Sequence, residues 1–270
     1  KLNYLTPRTD FTFIPTVDAT PVVRDVFFSA GTNKGWHSIL IGGLRLGGRG
    51  VYALDITDAS ASEANAGAKV LWEFTNTSTD SSGKAVGANL GYTYGKPNVG
   101  RLANGKWVVL VPSGYFPQAT GSAPYSKYKN DAASARTQSS LFVLDAQTGA
   151  VIRELVTPTS VSGVSGNIIS YGLSSPVLGD YDNDQIDDVA VAGDLRGNLW
   201  RFDFSNSDPT KWSVSLAFYS SNQGGRPITV MPRLFADPTS SNFMVIFGTG
   251  KYLGGTDNTA DNSAGTQYVY

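Results

Sequence analysis

The sequence predicts an all-β chain built from repeated four-stranded antiparallel sheets, and three observations carry that expectation. The 270 residues include 30 glycines, 13 prolines, 13 tyrosines, 13 phenylalanines and 5 tryptophans, a composition that favours strands and turns over helices. No long 3.6-residue hydrophobic period runs through any segment, which leaves helix as a minor component. Two strand-turn-strand designs recur along the chain, and self-similarity of this kind marks a modular architecture.

The first design is a Pro-led extended lead-in, a polar turn and a second apolar strand that ends at glycine. It reads "PTVDATPVVRDVFFSAG" from Pro15, "PNVGRLANGKWVVLVPSG" from Pro97, "PVLGDYDNDQIDDVAVAG" from Pro176 and "PRLFADPTSSNFMVIFG" from Pro232. Pro and Gly are 17 positions apart in the second and third copies and 16 in the first and fourth. The second design follows the first three copies, as "GRGVYALDITD…KVLWEF", "SSLFVLDAQTGAVIREL" and "RGNLWRFDFSNSDPTKWSVSLAF". Each is an alternating apolar strand closing on Asp55, Asp145 or Asp203, then a turn or short loop, then a strand with bulky side chains, which is hairpin patterning. Two hairpins in succession make one blade of a β-propeller.

Successive lead-in prolines lie 82, 79 and 56 residues apart. A compact blade needs about 40 to 50 residues, so the first two intervals carry insertions. Polar, Gly- and Ser-rich stretches without strand period mark them near 75–95 and 115–139. The expected organisation is a single propeller domain, or a fragment of one, over 1–270.

Several function classes are disfavoured. The net charge is -1 and the 21 lysines and arginines are dispersed, so neither nucleic acid nor an anionic membrane is indicated. No apolar run approaches the roughly 18 residues of a membrane span. The start, "KLNYLTPRTD", is not a signal peptide and reads like the interior of a longer chain, which leaves room for an address upstream. With no cysteine, thiolate chemistry is absent, and His37 is the single histidine and reads as structural. Gly42, Gly43, Gly47, Gly48 and Gly50 lack the Lys-Ser/Thr ending of a phosphate loop and read as turn and close-packing glycines.

"GDYDNDQIDDVAVAGD" stands apart, because it places Asp180, Asp182, Asp184, Asp187 and Asp188 within nine residues. Calcium takes roughly six to eight oxygens at about 2.3–2.6 Å, supplied by alternate residues of a tight loop. Asp180, Asp182 and Asp184 occupy positions one, three and five of such a loop, the Ile186 backbone carbonyl falls at seven and Asp188 at nine. Position six, usually glycine, is Gln185, and Asp187 at position eight is expected to point outward. The flanks read as strands, so the loop joins two strands of one blade. In the Pro97 copy the same connection is the ordinary turn at Asn104 and Gly105. A second oxygen-rich stretch with Asp257, Asn258, Asp261 and Asn262 has irregular spacing and reads as a surface loop.

These segments, with "LGYTYGKPNVGRLANGKWVVLVPSGY", "AGDLRGNLWRFD" and "FGTGKYL" in the same order, resemble the C-terminal β-propeller of the PilC/PilY family of type IV pilus biogenesis proteins and tip adhesins. The resemblance implies a modified seven-bladed propeller, of which four lead-in motifs account for part. It implies calcium at the loop matching Asp180, Asp182, Asp184 and Asp188, with occupancy regulating pilus extension against retraction. It further implies a surface or pilus-tip location on an exported protein, minor pilins as partners, twitching motility, and adhesion to a host or surface receptor.

Two other classes fit parts of the pattern. A calcium-dependent lectin or integrin-like module would hold its ligand on an open coordination position, and Tyr115, Tyr125, Lys127, Tyr128 and Lys129 could line such a surface. A quinoprotein dehydrogenase shares the tryptophan-docking look of "LFVLDAQTG", but that feature locks blades together and carries no catalysis. The sequence reading is therefore a non-enzymatic calcium-binding propeller.

Overall fold

The computed structural model describes residues 15–60, 62–116, 136–222, 224–237, 239–240, 242–253 and 265–270. Three four-stranded antiparallel sheets and one two-stranded sheet follow one another along the chain, each with its strands in sequence order. The first contains β1 (Val22–Phe28), β2 (Gly35–Gly43), β3 (Gly50–Asp55) and β4 (Val70–Thr75). The second contains β5 (Asn98–Arg101), β6 (Trp107–Pro112), β7 (Ser140–Asp145) and β8 (Val151–Val156). The third contains β9 (Val177–Gly179), β10 (Val189–Gly193), β11 (Leu199–Asp203) and β12 (Ser213–Phe218). The fourth pairs β13 (Arg233–Ala236) with β14 (Phe243–Ile246). Beyond β14, Phe247 exchanges backbone hydrogen bonds with Tyr270, so the C-terminal residues lie alongside as a further extended segment.

The cores lie between sheets. Alternate residues of the buried strands β6 and β7 face opposite ways: Val109, Val111, Phe142 and Leu144 pack on the first blade, while Val108, Leu110, Leu141 and Val143 pack on the third. This two-residue period, apolar on both faces, is what a middle blade requires. A third cluster joins Val189, Val191 and Leu199 to Ile228 and Phe247 of the fourth blade. The first strands touch at all three junctions, β1 with β5, β5 with β9 and β9 with β13, so they form the inner wall.

The hairpin aspartates do what their turn positions predict. Asp55, Asp145 and Asp203 each accept the backbone N–H two residues on, from Thr57, Gln147 and Ser205. In "DAQTG", Gly149 takes φ +70, and a Cβ there would run into the ring of Trp72. Trp72 Nε1–H donates to the Ala146 carbonyl at 2.9 Å, which ties the first blade to the second. The docking pattern is thus an interblade lock.

The first repeat differs from its sequence reading. Pro97, Pro176 and Pro232 directly precede β5, β9 and β13, but the matching proline of the first blade is Pro21, not Pro15. Gly31, at φ +78, belongs to the β1–β2 turn, and the hairpin runs on to Gly43. Residues 15–20 lie instead along the β2–β3 connection, where Asp18 accepts the Leu46 N–H and Gly47 leaves room for the Thr16 carbonyl. Of the two expected insertions, 75–95 includes an antiparallel bridge between Thr79 and Ala85 and buries Leu90 and Tyr92. Most of 115–139 lies outside the described residues, including Tyr125, Lys127, Tyr128 and Lys129, as do Asp257, Asn258, Asp261 and Asn262.

Candidate metal centre

The acidic loop joins β9 to β10, and the ladder fixes both of its ends. Asp188 N–H donates to the Gly179 carbonyl at 2.9 Å, and the Asp188 carbonyl accepts from Phe204 N–H at 2.7 Å. Between these anchors the chain folds on its own side chains. Asp182 accepts from Asp184 N–H, Asp184 from Ile186 N–H, Asp180 Oδ2 from Gln185 N–H at 2.8 Å, and Asp188 Oδ2 from Tyr181 N–H at 2.9 Å. Asn183 and Gln185 take φ +59 and +70, so the backbone makes the left-handed turn at position six without glycine.

This folding brings Asp180, Asp182 and Asp188 together, with one carboxylate oxygen from each within 4.8 Å of the others. Asp184 is exposed outside that trio and turns an oxygen back to Ile186 N–H, while Ile186 is half-buried. Asp180 Oδ1 is buried without a hydrogen-bond partner. A buried carboxylate oxygen beside two further carboxylates is costly unless a cation or a donor satisfies it. The donor set is oxygen only and belongs to hard cations, so the residues present fit calcium. Burial, then the neighbouring carboxylates of Asp182, Asp180 and Asp184, push the Asp188 carboxyl above its usual range, against the Tyr181 hydrogen bond.

Asp187 overturns the expectation that it points outward. Its N–H donates to the Arg101 carbonyl on β5 at 2.7 Å, and a Cβ on Gly100 would collide with its carboxylate. Burial pushes its carboxyl up to about 6, partly countered by the Arg101 hydrogen bond and the charge of Arg24 on β1. Asp187 therefore ties the loop to the second blade. Ligand register alone could not reveal this, because Gly100 and Arg101 are distant in sequence.

The other conspicuous polar residues are structural. Asp194, fully buried in the β10–β11 turn, accepts five hydrogen bonds, from Arg196 N–H, Asn198 N–H, Ser170 Oγ, Asn198 Nδ2 and Trp200 Nε1. Burial pushes its carboxyl up and these donors oppose the shift. His37 stacks on Phe28 and sets its ring nitrogens 2.7 Å from Asp55 Oδ2 and 2.9 Å from the Asn33 carbonyl.

The family model of the PilY1 beta-propeller domain matches residues 11–270. The chain belongs to this family. Among curated proteins, the type IV pilus biogenesis factor PilY1 of Pseudomonas aeruginosa is 38% identical over 269 residues, covering 92% of this chain and 20% of that protein. A PilY1 homolog of Xylella fastidiosa is 29% identical over 259 residues, covering 90% of this chain and 15% of that protein. The crystal structure of the Pseudomonas aeruginosa PilY1 C-terminal domain superposes with a TM-score of 0.66 at 35% identity, over 90% of this chain and 46% of that one. The chain thus spans about a fifth or less of the curated PilY1 relatives it matches. No helix among the described residues is long and apolar enough to cross a membrane.

Proposed function

We propose that this PilY1-family propeller is a non-enzymatic calcium-binding module of a type IV pilus biogenesis protein, exported to the cell surface or pilus tip. The buried, unpartnered Asp180 Oδ1 beside Asp182 and Asp188 carries the reading. Asp180, Asp182 and Asp188 would hold the ion, with Asp184 and the Ile186 carbonyl as the further ligands that the register suggests. Calcium supplies the positive charge that offsets the clustered carboxylates.

The chain's own residues give the loop its mechanical reach. Tyr181 N–H orients the Asp188 carboxylate, Asp188 sits in the β9–β10–β11 ladder, and Asp187 fastens the same loop to β5. Repulsion among Asp180, Asp182 and Asp188 acts on this junction when their charge is not offset, so the order of the second and third blades becomes sensitive to calcium. In this reading the ordered state favours pilus extension through contact with minor pilins, and its loss favours retraction; twitching motility and adhesion to a host or surface receptor follow from surface pili.

The test is to express Asp188→Ala and Asp188→Lys in the full-length protein of a pilated bacterium and to measure surface pili and twitching. Asp188→Ala should shift both measures away from wild type, and Asp188→Lys should restore surface pili in part because its ammonium supplies a fixed positive charge. Wild-type pili and motility in both variants, with normal protein levels, would contradict the regulatory reading.

A further inference from the structure

A second site lies at the opposite end of the blades from the acidic loop. The loop leaves the C-terminal end of β9, whereas a cavity of about 370 Å³ is lined by residues that precede the first strands. Each blade contributes one: Thr20 ahead of β1, Lys96 ahead of β5, Ser175 ahead of β9 and Thr229 ahead of β13. Because the first strands form the inner wall, the cavity lies toward the axis.

Its chemistry is cationic, hydroxylated and aromatic. Arg45 enters after β2 at φ +48, a backbone conformation costly for a side chain of this size and one that calls for a compensating role. Its guanidinium lies 5.2 Å from the centre of the Tyr94 ring and 3.8 Å from Asp18. Asp18 is already engaged by Leu46 N–H, so the one carboxylate of the cavity also holds the turn that presents Arg45. Lys96 is fixed through its backbone N–H, which donates to Ser175 Oγ at 2.8 Å. Its ammonium is exposed and has no partner among the described residues. Tyr115 is buried behind Tyr94, with ring centres 5.1 Å apart, and Tyr252, 68% exposed, brings a further ring to the lining.

Two cations against one committed carboxylate leave the cavity net positive in a chain whose net charge is -1. A concave site with one excess charge concentrates a ligand of opposite sign. Aromatic faces with hydroxyl groups, in place of an aliphatic pocket, suit a ring that carries hydroxyls. The volume is near the lower end of the range for small-ligand sites, about 300–1,000 Å³. We propose that this cavity binds a single acidic sugar, with its carboxylate at Lys96 and Arg45 and its ring against Tyr94 and Tyr252. The site is separate from the calcium loop and does not depend on the function proposed for it.

The test is saturation-transfer NMR and calorimetry on the full chain with D-glucuronate, compared with glucose and acetate, each in chelator and in calcium. Glucuronate should bind in chelator, with glucose and acetate weaker by about tenfold or more, since one lacks the charge-assisted contact and the other the ring. Lys96→Gln, an exposed substitution, should weaken glucuronate by about tenfold while leaving the folded spectrum intact. No transfer to glucuronate, equal binding of acetate, or unchanged affinity in Lys96→Gln would overturn the proposal. Binding that appears only with calcium would place the sugar on the loop's cation and would overturn it too.

Discussion

Replacing Asp194 with asparagine should destabilise the third blade more than any loss of volume could explain. The Asp194 carboxylate accepts two backbone N–H groups on Oδ1 and three side-chain donors on Oδ2. An amide keeps one oxygen. If that oxygen takes the Oδ2 place, its NH2 faces the N–H groups of Arg196 and Asn198. If it takes the Oδ1 place, the NH2 faces Trp200 Nε1–H, which can only donate, and Asn198 Nδ2, which is also committed to the Ile169 carbonyl. Either orientation strands at least two buried or part-buried donors at about 1–3 kcal/mol each, so the expected loss is about 2–6 kcal/mol. That is a large share of the roughly 5–15 kcal/mol by which a domain is stable. Urea unfolding followed by tryptophan fluorescence is a direct assay, because Trp200 belongs to the node, and the midpoint should fall with little change in slope. A shift within about 0.5 kcal/mol would refute the account of Asp194 as a saturated buried acceptor.

Three further outcomes follow from the loop and the interblade lock. The carboxyl of Asp187 is raised to about 6 and that of Asp188 is raised as well, so the ion-free fold binds more protons than the unfolded chain between the usual carboxylate range and about pH 6. Ion-free stability should therefore rise as pH falls through about 6, by no more than about 3 kcal/mol for Asp187 and less after solvent screening. Calcium competes with those protons, so the gap in melting temperature between calcium and chelator should narrow from pH 7.5 to 5; a constant gap would contradict the ligand assignment. Gln185→Gly should stabilise the loop by about 0.5–1 kcal/mol, or tighten calcium a few-fold, because φ +70 costs glycine nothing; weaker calcium binding in calorimetry would contradict this. Gly149→Ala should cost about 2 kcal/mol or more in thermal unfolding, combining a positive φ with a collision against Trp72; a neutral effect would remove the interblade lock.

The parts legible in the sequence were those whose determinants are local. The apolar runs of β6 and β10, the alternating strands β3, β7 and β11 and the aspartate turns that follow them each depend on a few adjacent residues, and the structure forms strands and turns there. The grouping of Asp180, Asp182 and Asp188 was legible for the same reason, since all three lie within nine residues. Nonlocal contacts were not. Pro15 and Pro21 are equivalent as local signals, and only the packing of 15–20 on the β2–β3 connection separates them. The inward turn of Asp187 depends on Gly100 and Arg101 in another blade, and the axial cavity draws Thr20, Lys96, Ser175 and Thr229 from four repeats.

Calorimetric titration of calcium into the chelator-treated chain, wild type beside Asp188→Ala, tests the central claim most directly. The account predicts one calcium bound per wild-type chain and a large loss of affinity in Asp188→Ala, with the fold retained by circular dichroism. No binding heat in the wild type, or equal affinity in the variant, would contradict it.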